Sequence, residues 1–366
     1  MLKPETEQEL GEAIRSAKAP LAIRGGGTRL TGQAGTPLSV FGLSGITLYE
    51  PGALTMVAQA GTPLAEVEAA LAAENQRLAF EPMDHRGLLG TGGEPTIGGV
   101  FATNTSGPRR VQAGAARDFL LGVRYIDGMG RAIKNGGRVM KNVTGYDLVK
   151  LMAGSWGTLG VLSEVSFKVL PRPETEATLR LAVADAGAAV RLLSAALGSP
   201  FEVAGAAYDP AQGAALLRIE GFAASVAYRA EKLIALLGDA EIAEAAASAA
   251  LWAAIRDAAP FHGAPGDVWR LSCKPSQAPE LAARLKAEAL LFDWGGGLIW
   301  ARAPEGTDVR ARAGAYDGHA TLVRATAETR ARLGMVQPQP GPLAAIEAGL
   351  RAKFDPRGVF NPGLMG

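Results

Sequence analysis

The clearest alternation of apolar and polar positions lies in residues 163–170, "SEVSFKVL". Val165, Phe167 and Val169 fall on one side and Glu164, Ser166 and Lys168 on the other, the period of a half-buried strand. "LGVRYIDGMGRAI" predicts two strands around a turn at Asp127–Gly130. Thr62 and Pro63 predict a helix start, with Thr62 as cap, Pro63 in the first position and Glu66 in the first turn. Leu64, Val67 and Leu71 then recur on one helical face. Pro171 and Pro173 end the glycine-dense first region, and the composition changes there.

From residue 175 to 330 the chain is alanine-rich and alternates strands with helices. The expected strands are "ATLRLAV", "AALLRIEGF", "DVWRLSC", "GGLIWARA" and "HATLVRA". Helices are expected over 185–197, 223–237, 241–258 and 277–291. This mixture predicts one antiparallel α+β layer. A proline-rich connector, a short helix ("PLAAIEAGLRAKF") and "DPRGVFNPGLMG" close the chain.

The 366 residues are 48% hydrophobic and 20% charged, as in a soluble globular protein of about two domains. With 37 basic and 36 acidic residues and no long run of either sign, nucleic acid and acidic surfaces are poor partners. A single cysteine, Cys273, excludes an internal disulfide and an iron–sulfur cluster held by this chain alone. His85, His262 and His319 are the only histidines, which leaves few ligands for a transition metal. The N-terminal stretch is polar and amphipathic, without the apolar centre of a signal peptide. The alanine-rich stretch at 240–259 carries Glu241, Glu244, Arg256 and Asp257 and predicts a packed helix, with no membrane span. A cytoplasmic location is expected, with any membrane association peripheral and through other proteins.

Candidate chemistry concentrates in glycine-rich segments. In "LAIRGGGTRLTGQ" (21–33) three glycines follow a short apolar strand, either as a surface turn or as a nest of bare amides for a phosphate. A dinucleotide fingerprint G-x-G-x-x-G and a Walker loop are both absent from the sequence. "GGEPTIGGVFATNTSG" (92–107) adds neutral donors and acceptors, which suit a pyrophosphate or the pyrimidine edge of a flavin. "GSWGTLGVLSEV" again sets glycines before an alternating strand.

Together with "KNVTGYDLVKLMAGSWGTLGVLSEV" and the terminal "FDPRGVFNPG", these segments resemble the FAD-linked oxidases of the vanillyl-alcohol-oxidase type, within them the FAD-binding subunits of glycolate oxidase. The resemblance implies an α+β fold. A PCMH-type FAD-binding domain of two α+β subdomains would span 1–171, a smaller antiparallel cap domain 174–330, and a returning C-terminal segment 331–366. It assigns the FAD pyrophosphate to Arg24, Gly25, Gly26, Gly27 and Thr28, with Gly32 completing the turn. Thr96, Ile97, Gly98, Gly99, Asn104, Ser106 and Gly107 would line the ribityl chain and ring. Gly157, Gly160 and Val161 would lie near the adenine, and Asn361 would return towards the ring, unless it only starts a turn before Pro362. Arg109 would meet flavin or a substrate carboxylate, or stand as a surface arginine. The first glycine loop lacks the histidine that many relatives couple to flavin, so the FAD is expected to be non-covalent.

Relatives that oxidise 2-hydroxy acids also hold a metal. In the matching stretch "FDWGGGLIWA" this chain has Asp293, Leu298 and Trp300, and Gly318 precedes His319 where a glutamate is expected. The resemblance therefore implies no metal site. His319 stands where the family keeps its catalytic base, and is either that base or an ordinary strand histidine. The implied function is an FAD subunit of a glycolate oxidase complex, alongside a paralogous catalytic FAD subunit and an iron–sulfur subunit. A stand-alone flavoenzyme for another hydroxy acid and a structural flavin-bearing subunit are the alternatives.

Overall fold

The strand expected at 163–170 forms the middle of a five-stranded antiparallel sheet in the computed structural model, which describes residues 1–139 and 145–365. The opening of the "KNVTGYDLVKLM" motif, residues 141–144, lies outside the described residues. The chain divides into two compact units. One contains Met1–Ser106, Ala115–Arg172 and Pro338–Gly366; the other contains Gly107–Gly114 and Pro173–Gln337.

Along the first unit run β1 (Leu21–Arg24), β2 (Thr36–Ser39), β3 (Ile46–Glu50), β4 (Thr55–Gln59), β5 (Gln76–Arg77), β6 (Leu120–Ile126), β7 (Ala132–Gly136), β8 (Val161–Lys168) and β9 (Leu170–Pro171). β1 and β2 pair in parallel, and the five-stranded sheet has the order β3-β4-β8-β6-β7. Val165 and Phe167 are buried as expected, but so is Ser166. Its register partners are Val57 on β4 and Gly122 on β6, so a short side chain is shaded on both sides. The β6–β7 turn is set by Asp127, whose carboxylate accepts the N–H groups of Met129 and Arg131.

The helix Leu64–Ala73 buries Leu64, Val67 and Leu71 as expected, but Thr62 is not its cap. The Thr62 hydroxyl donates to the Gln59 carbonyl and accepts the Gly45 N–H. The Leu64 N–H is taken up by the Pro95 carbonyl at 2.7 Å, so a neighbouring backbone replaces the side-chain cap.

The second unit carries β10 (Thr175–Ala182), β11 (Gly205–Asp209), β12 (Ala214–Gly221), β13 (Glu241–Glu244), β14 (Asp267–Cys273), β15 (Ala289–Asp293), β16 (Leu298–Ala303) and β17 (Gly318–Arg324). They form one eight-stranded antiparallel sheet in the order β13-β10-β12-β11-β15-β16-β14-β17. Helices Ala186–Leu197, Ala223–Leu237 and Ala278–Leu285 share its core, with Leu193, Leu217, Leu233, Trp269, Phe292 and Leu322 fully buried. The expected antiparallel α+β layer is this sheet.

Two expected helices are shorter than their sequences suggest. Residues 241–244 form β13, an edge strand on β10, and the helix begins only at Ala245. The helix expected over 277–291 stops at Leu285; Lys286 takes a left-handed conformation (φ 47°), and β15 follows. Alanine-rich sequence with spaced leucines hides both strands, because pairing in the sheet overrides local helix preference.

Candidate functional site

The glycine loop after β1 is held by a second loop. A Cβ at Gly25 would run into the Thr96 side chain, and one at Gly26 into the Glu94 backbone carbonyl. Neither residue has positive φ, so they are required by close approach of two backbones. Gly27 differs: its φ is +78° and the space beside it is open. Arg86 secures the second loop by donating to the Gly93 carbonyl and pairing with Glu94 at 3.1 Å.

Between these loops lies a cavity that is partly open to solvent. Arg24, Gly25, Gly26, Gly27 and Thr28 form one wall. Thr96, Gly98 and Gly99 form another, at the start of the helix Ile97–Ala102 that Thr96 caps. Gly157, Gly160 and Val161 complete it with Trp156, Leu162 and Ile23.

Arg29, which sequence reasoning passed over, is the main addition to this wall. Its Nε and Nη2, like the Nε of Arg24, are buried without a hydrogen-bond partner. Loss of hydration pulls the Arg29 guanidinium down to about 10, opposed by the charge of Asp84. That carboxylate is bonded to Arg86 instead, at 2.8 and 3.0 Å. The signal was present in the sequence: Arg29 lies inside the quoted loop, and Gly99 gives its guanidinium room.

Other expected site residues do not line this cavity. Ile97 is buried in its helix, and Gly32 serves a turn with φ +72°. Asn104 accepts the Arg117 N–H and Ser106 the Ala116 N–H, so both anchor the chain near residue 116. Asn361, 2% exposed, accepts the Ile23 N–H at 2.7 Å and donates to the Trp156 carbonyl at 2.8 Å. Both partners belong to cavity residues, so Asn361 fixes the walls from behind. Trp156 itself has φ +55°, strain that this bond helps to hold.

Gly107 and Arg109 belong to the second unit. The Gly107 carbonyl accepts Trp294 Nε1–H at 3.0 Å. Arg109 pairs with Glu220 at 2.7 Å and Glu176 at 3.6 Å. The network continues from Glu176 to Ser248, Thr178 and Trp252 Nε1. The structure therefore gives Arg109 carboxylate partners within its own unit.

Of the positions related to family metal ligands, Asp293, Leu298, Trp300 and His319 lie on one face of the large sheet, while Gly318 pairs with Cys273 and falls on the other. Arg270 on β14 faces Trp300 on β16 and Thr321 on β17, and Ser272 faces Leu298 and His319. Asp293 on β15 pairs with Leu298, placing it on that face too. A Cβ at Gly318 would collide with the Ser272 carbonyl, so no ligating side chain fits there. Among the described residues no three His, Cys, Asp or Glu side chains gather as a metal site. Arg270 and Arg110 instead lie 5.0 and 4.5 Å from the Trp294 ring centre. Burial pulls Arg270 down to about 10, helped by Arg110 and opposed by Asp293. His319 is held below the usual histidine range by lost hydration, Arg270 and Arg110.

Residues 1–136 match the family described as FAD binding domain. The chain is 38% identical over 366 residues to the glycolate oxidase subunit GlcE of Escherichia coli, covering 98% of this chain and 95% of that protein. It is 31% identical over 182 residues to the glycolate oxidase subunit GlcD of Bacillus subtilis, 48% of this chain and 37% of that protein. A D-lactate dehydrogenase of Archaeoglobus fulgidus is 32% identical over 178 residues, 47% of this chain and 39% of that protein. Among solved structures, an alkyldihydroxyacetonephosphate synthase matches with a TM-score of 0.70 at 16% identity, over 98% of this chain and 76% of that one. That likeness shows the fold: the α+β architecture with a PCMH-type FAD-binding domain expected from the sequence is borne out.

Proposed function

The chain belongs to the family of FAD-linked oxidases that includes the glycolate oxidase subunit GlcE, and we propose that it is the flavin-bearing subunit of a complex oxidising a small 2-hydroxy acid of the glycolate class to the 2-oxo acid. The observation that carries this reading is the cavity with buried, unpartnered guanidinium atoms of Arg24 and Arg29 beside a side-chain-free glycine loop. Unpaired buried cationic donors are expensive unless an anion joins them, and a pyrophosphate supplies two negative charges. The residues fit the group.

On this reading Gly25, Gly26, Gly27 and Thr28 offer amides to the pyrophosphate, and Arg24 and Arg29 neutralise it. Thr96, Gly98 and Gly99 hold the middle of the cofactor, and Gly157, Gly160 and Val161 present backbone to its other end. Ile23, Leu162 and Trp156 exclude water from the ring. When bound, the flavin supplies two-electron redox chemistry. Among the described residues no histidine, cysteine or tyrosine lines the cavity, which supports non-covalent FAD. With one cysteine in the chain, an iron–sulfur acceptor has to reside in another subunit. No described helix is long and apolar enough to cross a membrane, so any membrane attachment through helices would come from partners.

Acid precipitation of the purified chain tests the reading. Release of about one FAD per chain into the supernatant is expected; a chain without flavin, or one that keeps it in the pellet, overturns the assignment.

A further inference from the structure

One wall residue of the first unit's cavity has a side chain that the rest of the chain leaves unused. Of the five tryptophans in the sequence, Trp252, Trp269 and Trp294 each carry an arginine over the ring, and Trp300 is buried. Trp156 differs from all of them. It is half-buried on the cavity wall, and among the described residues its indole makes no hydrogen bond, ring contact or cation contact.

Its backbone is held in a conformation that the side chain makes costly. The φ of Trp156 is +55°, in the left-handed region, and Gly154 and Gly157 on either side are at +87° and +71°. Glycine or asparagine takes this conformation more readily than a residue with a bulky ring. Three bonds hold the loop in place nonetheless. The Gly154 N–H donates to the Phe101 carbonyl at 3.1 Å and the Trp156 N–H to the Ala102 carbonyl at 2.9 Å, while Asn361 Nδ2 donates to the Trp156 carbonyl at 2.8 Å. Backbone strain that surrounding bonds keep in place is a mark of ligand clamps.

The rest of the cavity defines the ligand that would meet this indole. The buried, unpartnered guanidinium atoms of Arg24 and Arg29 call for an anion. Ile23, Val40, Ala60 and Leu162 add an apolar lining that an anion alone does not use. An anion joined to a planar ring uses both, and an indole face is a surface on which such a ring stacks.

We propose that Trp156 is a stacking platform for one of the two planar rings of the bound dinucleotide, adenine or isoalloxazine, and supplies affinity that the glycine loop does not. The proposal rests on the reading above that the ligand is FAD. The pinned loop sets the indole in advance, so little side-chain freedom is lost when the ring arrives.

The test titrates the purified full chain, stripped of flavin in concentrated bromide, with FAD, ADP, FMN and inorganic pyrophosphate by calorimetry. Trp156→Leu should weaken FAD about tenfold or more, and Trp156→Phe, which keeps a ring, less. Inorganic pyrophosphate has no ring and should bind wild type and both variants alike, whereas loss of a merely structural tryptophan would weaken every ligand. ADP carries only the adenine ring and FMN only the isoalloxazine, so the one whose affinity falls in Trp156→Leu identifies the stacked ring. Trp156→Asn separates the stack from the fold. It relaxes the left-handed residue, so the flavin-free chain should melt no lower than wild type while FAD affinity still falls. Variants that bind FAD as tightly as wild type, or that lose FAD and pyrophosphate in equal measure, overturn the stack and leave the flavin reading standing. A wild-type chain that takes up no FAD overturns the flavin reading, and the stack with it.

Discussion

The glycine-loop cavity of the first unit is walled mainly by backbone, whereas the basic cluster of the second is assembled from long side chains on separate strands, a short helix and a turn. In the cavity, Gly25 and Gly26 are needed because Thr96 and Glu94 lie against them, and bare amides result. In the cluster, glycine at 318 removes a possible ligand, and arginines at 110 and 270 supply charge in its place. A site built from backbone needs consecutive residues of one type, while a site built from side chains needs only the right register. The first therefore presents shape and the second charge.

The strongest way to break this comparison is Gly26→Val. Its branched side chain would displace the Glu94 carbonyl, so the loops must separate and the cavity wall opens. Complete loss of bound FAD and about 3 kcal/mol or more of stability are expected, read by flavin absorbance and denaturant unfolding. Gly27→Ala has open space and only a strained φ of +78°, so it should cost about 1–2 kcal/mol and retain some flavin. If the two variants behave alike, backbone packing is not what makes the wall.

This contrast also sets how much could be read in advance. The strand expected at 163–170 and the Asp127 turn each lie within a short window and are present, the strand at 161–168; the glycine loop is equally local in the sequence and lines a cavity. The strand 241–244 is invisible locally, because only pairing with β10 distinguishes it from the alanine-rich helix that follows. Arg110, Arg270 and Trp294 are far apart in sequence, and nothing around any one of them marks it as part of a cluster. Asn361 is an intermediate case. Its position was marked, but its use of both amide ends on Ile23 and Trp156 depends on where the tail returns.

Asn361→Leu tests that use. It removes one acceptor and one donor and leaves the Ile23 N–H and Trp156 carbonyl buried without them, which should cost about 2–4 kcal/mol. Flavin should bind more weakly as the walls relax. Unchanged melting with normal FAD content would show that the tail does not brace the cavity. Arg29→Gln should act in opposite directions on fold and function. Removing an unpaired buried cation should raise the melting temperature of the flavin-free chain, while FAD affinity falls about tenfold or more. A chain destabilised in both forms would mean that Arg29 is a structural residue.

The smallest effect is one of pH, and it separates the two sites cleanly. On the cavity wall Arg29 is pulled down to about 10, and Asp84, whose charge acts on it, is held below its usual range by bonds and charge from Arg86 that outweigh its burial. Both charges are therefore constant from about pH 5 to pH 9, and FAD retention should be flat across that window. In the cluster, Arg110, Arg270 and Asp293 keep their place around His319, whose folded state favours the neutral imidazole. A depressed histidine weakens the fold as pH drops below its unfolded value of about 6.5, since the unfolded chain takes up the proton more readily. A nuclear magnetic resonance titration should place the His319 midpoint below 6.5, and His319→Gln should remove that part of the acid loss. A midpoint at or above 6.5 would show that burial and the two guanidiniums do not act on His319.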